Sequence, residues 1–224
     1  MVDTESYPTR EDMARDMVLR FVEEVPADAF DIQTGTDVGV VFFNGDVTEQ
    51  AVDHFQHLLV QVHLNLPKGQ DINIYLTSVG GDCYTGMALI SLIHTLRREG
   101  RKVNVHVQGV AMSMGSLIAQ AASWRTIESH AYFMLHEVQS FEEGSTSQMR
   151  DSHKFSERLQ RTLYAMYSAR TGKPIEYYEV RLDGHEWYLD ATEALAEGLV
   201  DEILATADEY EVDIDKPAAL PQKV

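Results

Sequence analysis

Between residues 38 and 108 the chain alternates strand, helix, strand, helix, strand, and this rhythm constrains the fold more than any other feature. Val38-Gly-Val-Val-Phe-Phe43 is an apolar run of strand length. Asp46 can cap the helix that follows, with Glu49 three residues on as in a capping box. Val52, Phe55, Leu59 and Val62 then form one apolar stripe, and Pro67-Lys-Gly69 ends the unit. Ile72, Ile74 and Leu76 alternate with polar residues and predict a strand over 71–77. Residues 84–98 read as an apolar helix ending in Leu96-Arg-Arg, with Gly100 as its stop. Val103, Val105 and Val107 alternate again. Such units build a parallel sheet with crossover helices.

The rest of the chain continues in the same style. A helix is expected over 114–123, a strand over Ala131–Leu135, and a long helix at about 146–170 with Phe155, Leu159, Leu163 and Met166 on one face. Gly172 and Pro174 break that helix. Ala191–Glu197 reads as a short helix closed by Gly198, and Leu199–Leu204 as a strand. Upstream, Met13, Met17, Val18, Phe21 and Val22 recur at helical spacing over about 10–24, and 25–37 reads as a loop. The acidic tail from 205 is expected to fray.

Charge and composition narrow the function classes. A formal net charge of −18 repels phosphate backbones and anionic membranes, which argues against nucleic-acid or membrane partners. One cysteine, Cys83, cannot form an internal disulfide. No stretch of about 18 apolar residues is present, and the polar start has no signal-like apolar core. The expectation is a single-domain cytoplasmic protein. No HExxH motif or Cys/His cluster occurs, so no catalytic metal or other cofactor is expected.

Three segments can carry chemistry. Gly109-Val-Ala-Met-Ser-Met-Gly-Ser116 follows a valine-rich strand and precedes an Ala-rich helix, which puts Ser113 on a strand-to-helix turn. The first N–H groups of a helix lack partners and can receive a developing oxyanion. Ala111-Met-Ser-Met-Gly115 is a relaxed nucleophile elbow, with Ala where the usual motif has its first Gly. Small residues beside a serine also serve close helix–strand packing, and the segment alone leaves both readings open. Thr77-Ser-Val-Gly-Gly-Asp82 ends another strand, and its paired glycines suit either an anion-facing backbone or a plain tight turn. His136, just past the strand ending at Leu135, is placed for general-base work if a nucleophile lies opposite. It is one of nine histidines, most of which need only a structural reading.

Taken together, these segments resemble the ClpP family of serine peptidases, the proteolytic subunit of the Clp protease. The resemblance runs from about Val41 to Leu204. It is carried by Phe43-Asn-Gly45, Ser78-Val-Gly-Gly81, Ala111-Met-Ser-Met-Gly115, Met134-Leu-His136 and Ala194-Leu-Ala-Glu-Gly-Leu-Val-Asp201. It implies an α/β fold of the ClpP/crotonase type, with repeated β-α units and a protruding handle helix, which the segment at 146–170 fits. It divides the chain into a divergent N-terminal segment with a short helix (1–37), a ClpP-like peptidase domain (38–204) and an acidic tail (205–224).

The resemblance also implies roles. Ser113 would be the nucleophile, His136 the general base, and the N–H groups of Gly80 and Met114 the oxyanion hole. The family's acid is an Asp. Counted back from Gly198, its position holds Glu186, and Asp183 is the alternative. The implied function is endopeptidase cleavage of unfolded proteins or peptides inside a homo-oligomeric chamber, a tetradecamer of two seven-membered rings, served by an AAA+ unfoldase. Val79 stands where the family has a proline, and residues 1–37 do not match the family's N-terminus, which helps contact the ATPase. Three other readings share the scaffold: a non-catalytic ring subunit, a phage-type capsid-maturation protease, and a crotonase-type acyl-CoA enzyme. The last would not require a Ser–His pair at these positions.

Overall fold

The computed structural model describes residues 38–140 and 143–204. The helix expected at about 10–24, the loop 25–37 and the tail from 205 lie outside the described residues. The elements run β1 (Val40–Asn44), α1 (Glu49–Asn65), β2 (Ile72–Ser78), α2 (Cys83–Arg98), β3 (Val103–Met112), α3 (Met114–Gln120), β4 (Arg125–Glu128), β5 (Tyr132–Leu135), α4 (Thr146–Thr171), α5 (Ile175–Leu182), β6 (Trp187–Leu189), α6 (Ala191–Ala196) and β7 (Glu202–Leu204). The sheet has the order β1-β2-β3-β4-β7, with β5 added to β3 and β6 to β5. Every pairing is parallel except β5–β6. This is the α/β architecture that the strand–helix alternation predicts.

The alternating strands explain the core. Val41 and Phe43 of β1, Ile72, Ile74 and Leu76 of β2, and Val103, Val105 and Val107 of β3 are buried on one face. They belong to one core with Val52, Phe55, Leu59 and Val62 of α1 and Leu89, Ile93 and Leu96 of α2. Fully burying such a side chain contributes about 1.5–3 kcal/mol, so this stripe-on-strand match dominates the fold. The residues between them turn to the opposite face, where Phe42, Tyr75 and His106 stack at 5.2 and 4.8 Å.

Several boundaries differ from the sequence reading, each for a tertiary reason. The first helix starts at Glu49 with Thr48, not Asp46, as its cap; the Thr48 hydroxyl accepts the Ala51 N–H at 3.2 Å. Residues 46–47 stay extended because Val47 donates to the Gly80 carbonyl (2.8 Å) and accepts from the Asp82 N–H (2.9 Å). β3 runs past 108 to Met112 because it changes neighbour, pairing with β4 over Val105–Val107 and with β5 over Val110–Met112. Pro174 does not merely break α4; it occupies the cap position of α5. The strands β4 and β6 were not expected, being short and mixed in character. The last strand begins only at Glu202 because Asp201 is engaged with the start of β4. Its carboxylate takes Arg125 Nη2 (2.6 Å) and Nε (3.0 Å), and its N–H meets the Arg125 carbonyl (2.8 Å). Burial alone would raise the Asp201 pKa, but the hydrogen bonds and charge of Arg125 hold it below the ordinary range.

The long helix α4 has two characters. Its first ten residues, 146–155, are all exposed, and Phe155 is 51% accessible. Its second half buries Leu159, Leu163, Tyr164 and Tyr167 in the core. The expected apolar face therefore docks on the body only from Leu159 onward.

Candidate active site

Ser113 sits where β3 ends and α3 begins, with φ 50° and ψ −123°. Among the described residues it is the one non-glycine residue with positive φ. Such backbone costs on the order of 1–3 kcal/mol and persists where its surroundings over-determine it. Here they do. The Ser113 N–H donates to the Met134 carbonyl (2.8 Å), continuing the β3–β5 ladder. The Ser113 carbonyl accepts from Ser116 N–H (3.0 Å) and from the Ser116 hydroxyl (2.6 Å). With its proton so used, Ser116 Oγ accepts from the Tyr167 hydroxyl of α4 at 2.6 Å.

His136 follows β5 directly. Because β5 lies beside the end of β3, the imidazole reaches the serine, and Nε2 stands 2.7 Å from Ser113 Oγ. For Nε2 to accept the hydroxyl proton, the ring must carry its proton on Nδ1. Burial of the half-buried imidazole pushes its pKa below the ordinary value, while the carboxylates of Glu186 and then Glu137 pull it back up.

The glycine loop packs against the same turn. A methyl group on Gly80 (φ 96°) would lie 2.7 Å from both the Met112 carbonyl oxygen and Ser113 Cβ, and 2.9 Å from Met114 N. No side chain fits there, which is why the loop can press its backbone onto Ser113. The Gly80 N–H, however, donates to Ser78 Oγ at 3.1 Å. The next N–H, that of Gly81, has no acceptor among the described residues. Gly81 forms a parallel bridge with Val47, which bonds to Gly80 and Asp82 on either side. In such a bridge the central residue's own N–H points away from its partner. The strand leading into the glycine pair, β2, has β3 on the side opposite β1. Met114 is the first residue of α3, so its N–H has no partner within the helix.

These groups line one cavity of about 780 Å³. Its walls bring together Ser113, His136, Gly80, Gly81, Met114 and Glu186 with the apolar Leu117, Met134, Leu163 and Tyr167. Glu186 lies on the exposed loop between α5 and β6, and its Oε2 accepts the Tyr188 hydroxyl at 2.7 Å. Asp183, the residue after α5, is exposed and lies outside the cavity lining. Among the described residues no hydrogen bond joins Nδ1 of His136 to either acid. Two groups of the cavity wall escaped the sequence reading. One is the Gly81 N–H, which only the Val47 bridge distinguishes from that of Gly80. The other is Glu137, whose single sequence signal is adjacency to His136. No group of three or more metal-ligating side chains occurs among the described residues, and none of their helices is long and apolar enough to cross a membrane.

With this geometry in place, comparison with known proteins becomes specific. The family model described as Clp protease matches residues 28–207. A Porphyromonas gingivalis protein named ATP-dependent Clp protease proteolytic subunit is 30% identical over 167 residues, covering 74% of this chain and 73% of its own length. A Salinibacter ruber protein named ATP-dependent Clp protease proteolytic subunit 1 is 31% identical over 137 residues, 60% of this chain and 57% of its own. A Pleurastrum terricola counterpart is 26% identical over 163 residues, 72% of this chain and 81% of its own. The matched stretch contains the whole described α/β unit from β1 to β7, and on that breadth of agreement the chain belongs to the Clp protease family.

Proposed function

We propose that this protein is a serine endopeptidase. The observation that carries the reading is the 2.7 Å approach of His136 Nε2 to Ser113 Oγ on a strained strand-to-helix turn. In the proposed cycle Ser113 Oγ attacks the peptide carbonyl while His136 Nε2 takes the hydroxyl proton. The carbonyl oxygen becomes the oxyanion. The imidazolium then returns its proton to the leaving amine, which departs and leaves an acyl-enzyme. Water, deprotonated by the same imidazole, cleaves the ester and restores Ser113. The proposed oxyanion donors are the N–H groups of Met114 and Gly81. Gly81 is preferred to the expected Gly80 because the Gly80 N–H donates to Ser78 Oγ, and Gly80 is the alternative donor. Glu186 is the proposed acid over Asp183, because it lines the cavity and exerts the larger carboxylate effect on His136.

The relatives are named as subunits of an ATP-dependent protease, and this supports a ring-forming role with an unfoldase partner. The exposed first half of α4 offers a surface suited to packing copies together. Ser113→Ala is expected to abolish labelling by a fluorophosphonate probe without changing the elution volume of the purified protein. Labelling that survives the substitution overturns the assignment. The non-catalytic subunit is the second reading, favoured by the Nδ1 side of His136, where no acid is hydrogen-bonded. Peptidase activity of the purified protein alone excludes it.

A further inference from the structure

The acid-bearing loop is fastened to the rest of the site through a side chain with no assigned role. Glu137 directly follows His136 and is half-buried at the end of β5. Its two carboxylate oxygens reach two different elements. Oε2 accepts the backbone N–H of Gly184 at 3.1 Å, in the loop between α5 and β6. Oε1 accepts Gln160 Nε2 of α4 at 3.4 Å, and Gln160 Oε1 in turn accepts the Val138 N–H at 3.1 Å. The residue pair after the base is thus tied to the handle helix, and the loop carrying Glu186 is tied to that pair.

Beyond the β5–β6 pairing that begins at Trp187 and the Tyr188 hydroxyl bond to Glu186, little else holds the loop. Residues 183–186 are exposed, Gly184 has φ 69°, and the one local backbone bond there runs from His185 N–H to the Leu182 carbonyl (3.1 Å). A hydrogen bond to an ionised acceptor is stronger than a neutral one, so Glu137 is well suited to be the main fastener. It stands among other acids: Glu179 and Asp183 lie near enough, with Glu137, to act on the buried Tyr164 hydroxyl.

We infer that Glu137 is a positioning residue, holding the 183–186 loop through the Gly184 N–H so that Glu186 faces His136, and linking that placement to α4 through Gln160. The inference rests on the serine-peptidase reading above. It predicts that the acid's alignment, and with it turnover, depends on how α4 is seated.

The test is steady-state hydrolysis of a peptidyl aminocoumarin by the full-length protein. Glu137→Ala is expected to lower kcat about tenfold with KM within about twofold, the size expected of a small misplacement of a catalytic group. Glu137→Gln keeps an oxygen for the Gly184 N–H and is expected to restore most of kcat. Gln160→Ala is expected to give a smaller loss, about threefold. In a Glu186→Ala background, Glu137→Ala is expected to cost nothing further, because it acts through that acid. Equal losses in Glu137→Ala and Glu137→Gln, a full tenfold loss in the Glu186→Ala background, or full activity of Glu186→Ala alone each overturn the inference. Should Glu137→Ala fold poorly, as judged by elution and thermal melting, the Glu137→Gln and Gln160→Ala kinetics decide. Ser113 labelling separates the two levels. A wild type that takes no fluorophosphonate removes both readings, whereas normal labelling with unaffected Glu137 variants removes only the positioning role.

Discussion

The two sides of the His136 ring are built differently. On the Nε2 side, Ser113 is held by buried parallel strands, by a glycine loop that admits no side chain, and by the Ser116–Tyr167 hydroxyl pair. Glu186, the proposed acid, rides on an exposed loop fastened by the Leu135–Trp187 pairing at its end and by the Glu137–Gly184 bond. The first side inherits the stiffness of the close-packed core, where small displacements are resisted by many neighbours. The second has the freedom of a surface loop. On the proposed roles, Ser113 is held by the core itself, and Glu186 sits on a loop held by few polar bonds.

That contrast is open to test, from the largest expected effect downward. Ser113→Ala removes the nucleophile and should lower peptide hydrolysis by about ten-thousand-fold or more, measured as kcat/KM. Gly80→Ala attacks the rigid side by pressing a methyl group onto the Ser113 turn. Its methyl group meets three atoms within 2.9 Å at φ 96°, so a stability loss of about 3 kcal/mol by thermal unfolding and a collapse of activity are expected. A Gly80→Ala variant of full stability would break the claim that packing holds the serine. Glu186→Gln tests the looser side and should lower kcat about thirtyfold, less than at a buried triad acid. Asp183→Asn should stay within about twofold, and reversed magnitudes would transfer the role to Asp183.

The smallest effect is a shift in pH dependence. The base works only when neutral, so activity rises as pH rises through the His136 pKa. Burial keeps that pKa below 6.5, and the Glu186 charge partly opposes burial. The rising limb of kcat/KM should therefore lie below pH 6.5, and Glu186→Gln should move it to lower pH. An unmoved limb would show that Glu186 stands too far from the ring to act on it.

The legibility of the sequence follows the same division. The β1–α1–β2–α2–β3 run was readable because each element carries its own period, and Ser113 and His136 stood out because they directly follow the strands β3 and β5. α5 and β6 were not readable. Pro174 signals the end of one helix and the start of the next equally well, and the three residues of β6 form a strand only against β5. Asp46 was the cap expected from the sequence, but the bridge from Val47 to the glycine loop keeps residues 46–47 extended and leaves the cap to Thr48.

The chain by itself determined the parallel α/β frame and the two strand ends that present a serine and a histidine, because burial patterns and turn glycines are local properties of sequence. Tertiary structure decided the rest. β3 meets β5 only after leaving β4, and that exchange sets Ser113 beside His136. Which of two adjacent glycine N–H groups is bonded within its own loop depends on Ser78 and Val47, and the loop carrying both candidate acids is tied to Glu137. These are choices among near-equal local alternatives, and only contacts between segments distant in sequence have the energy to make them.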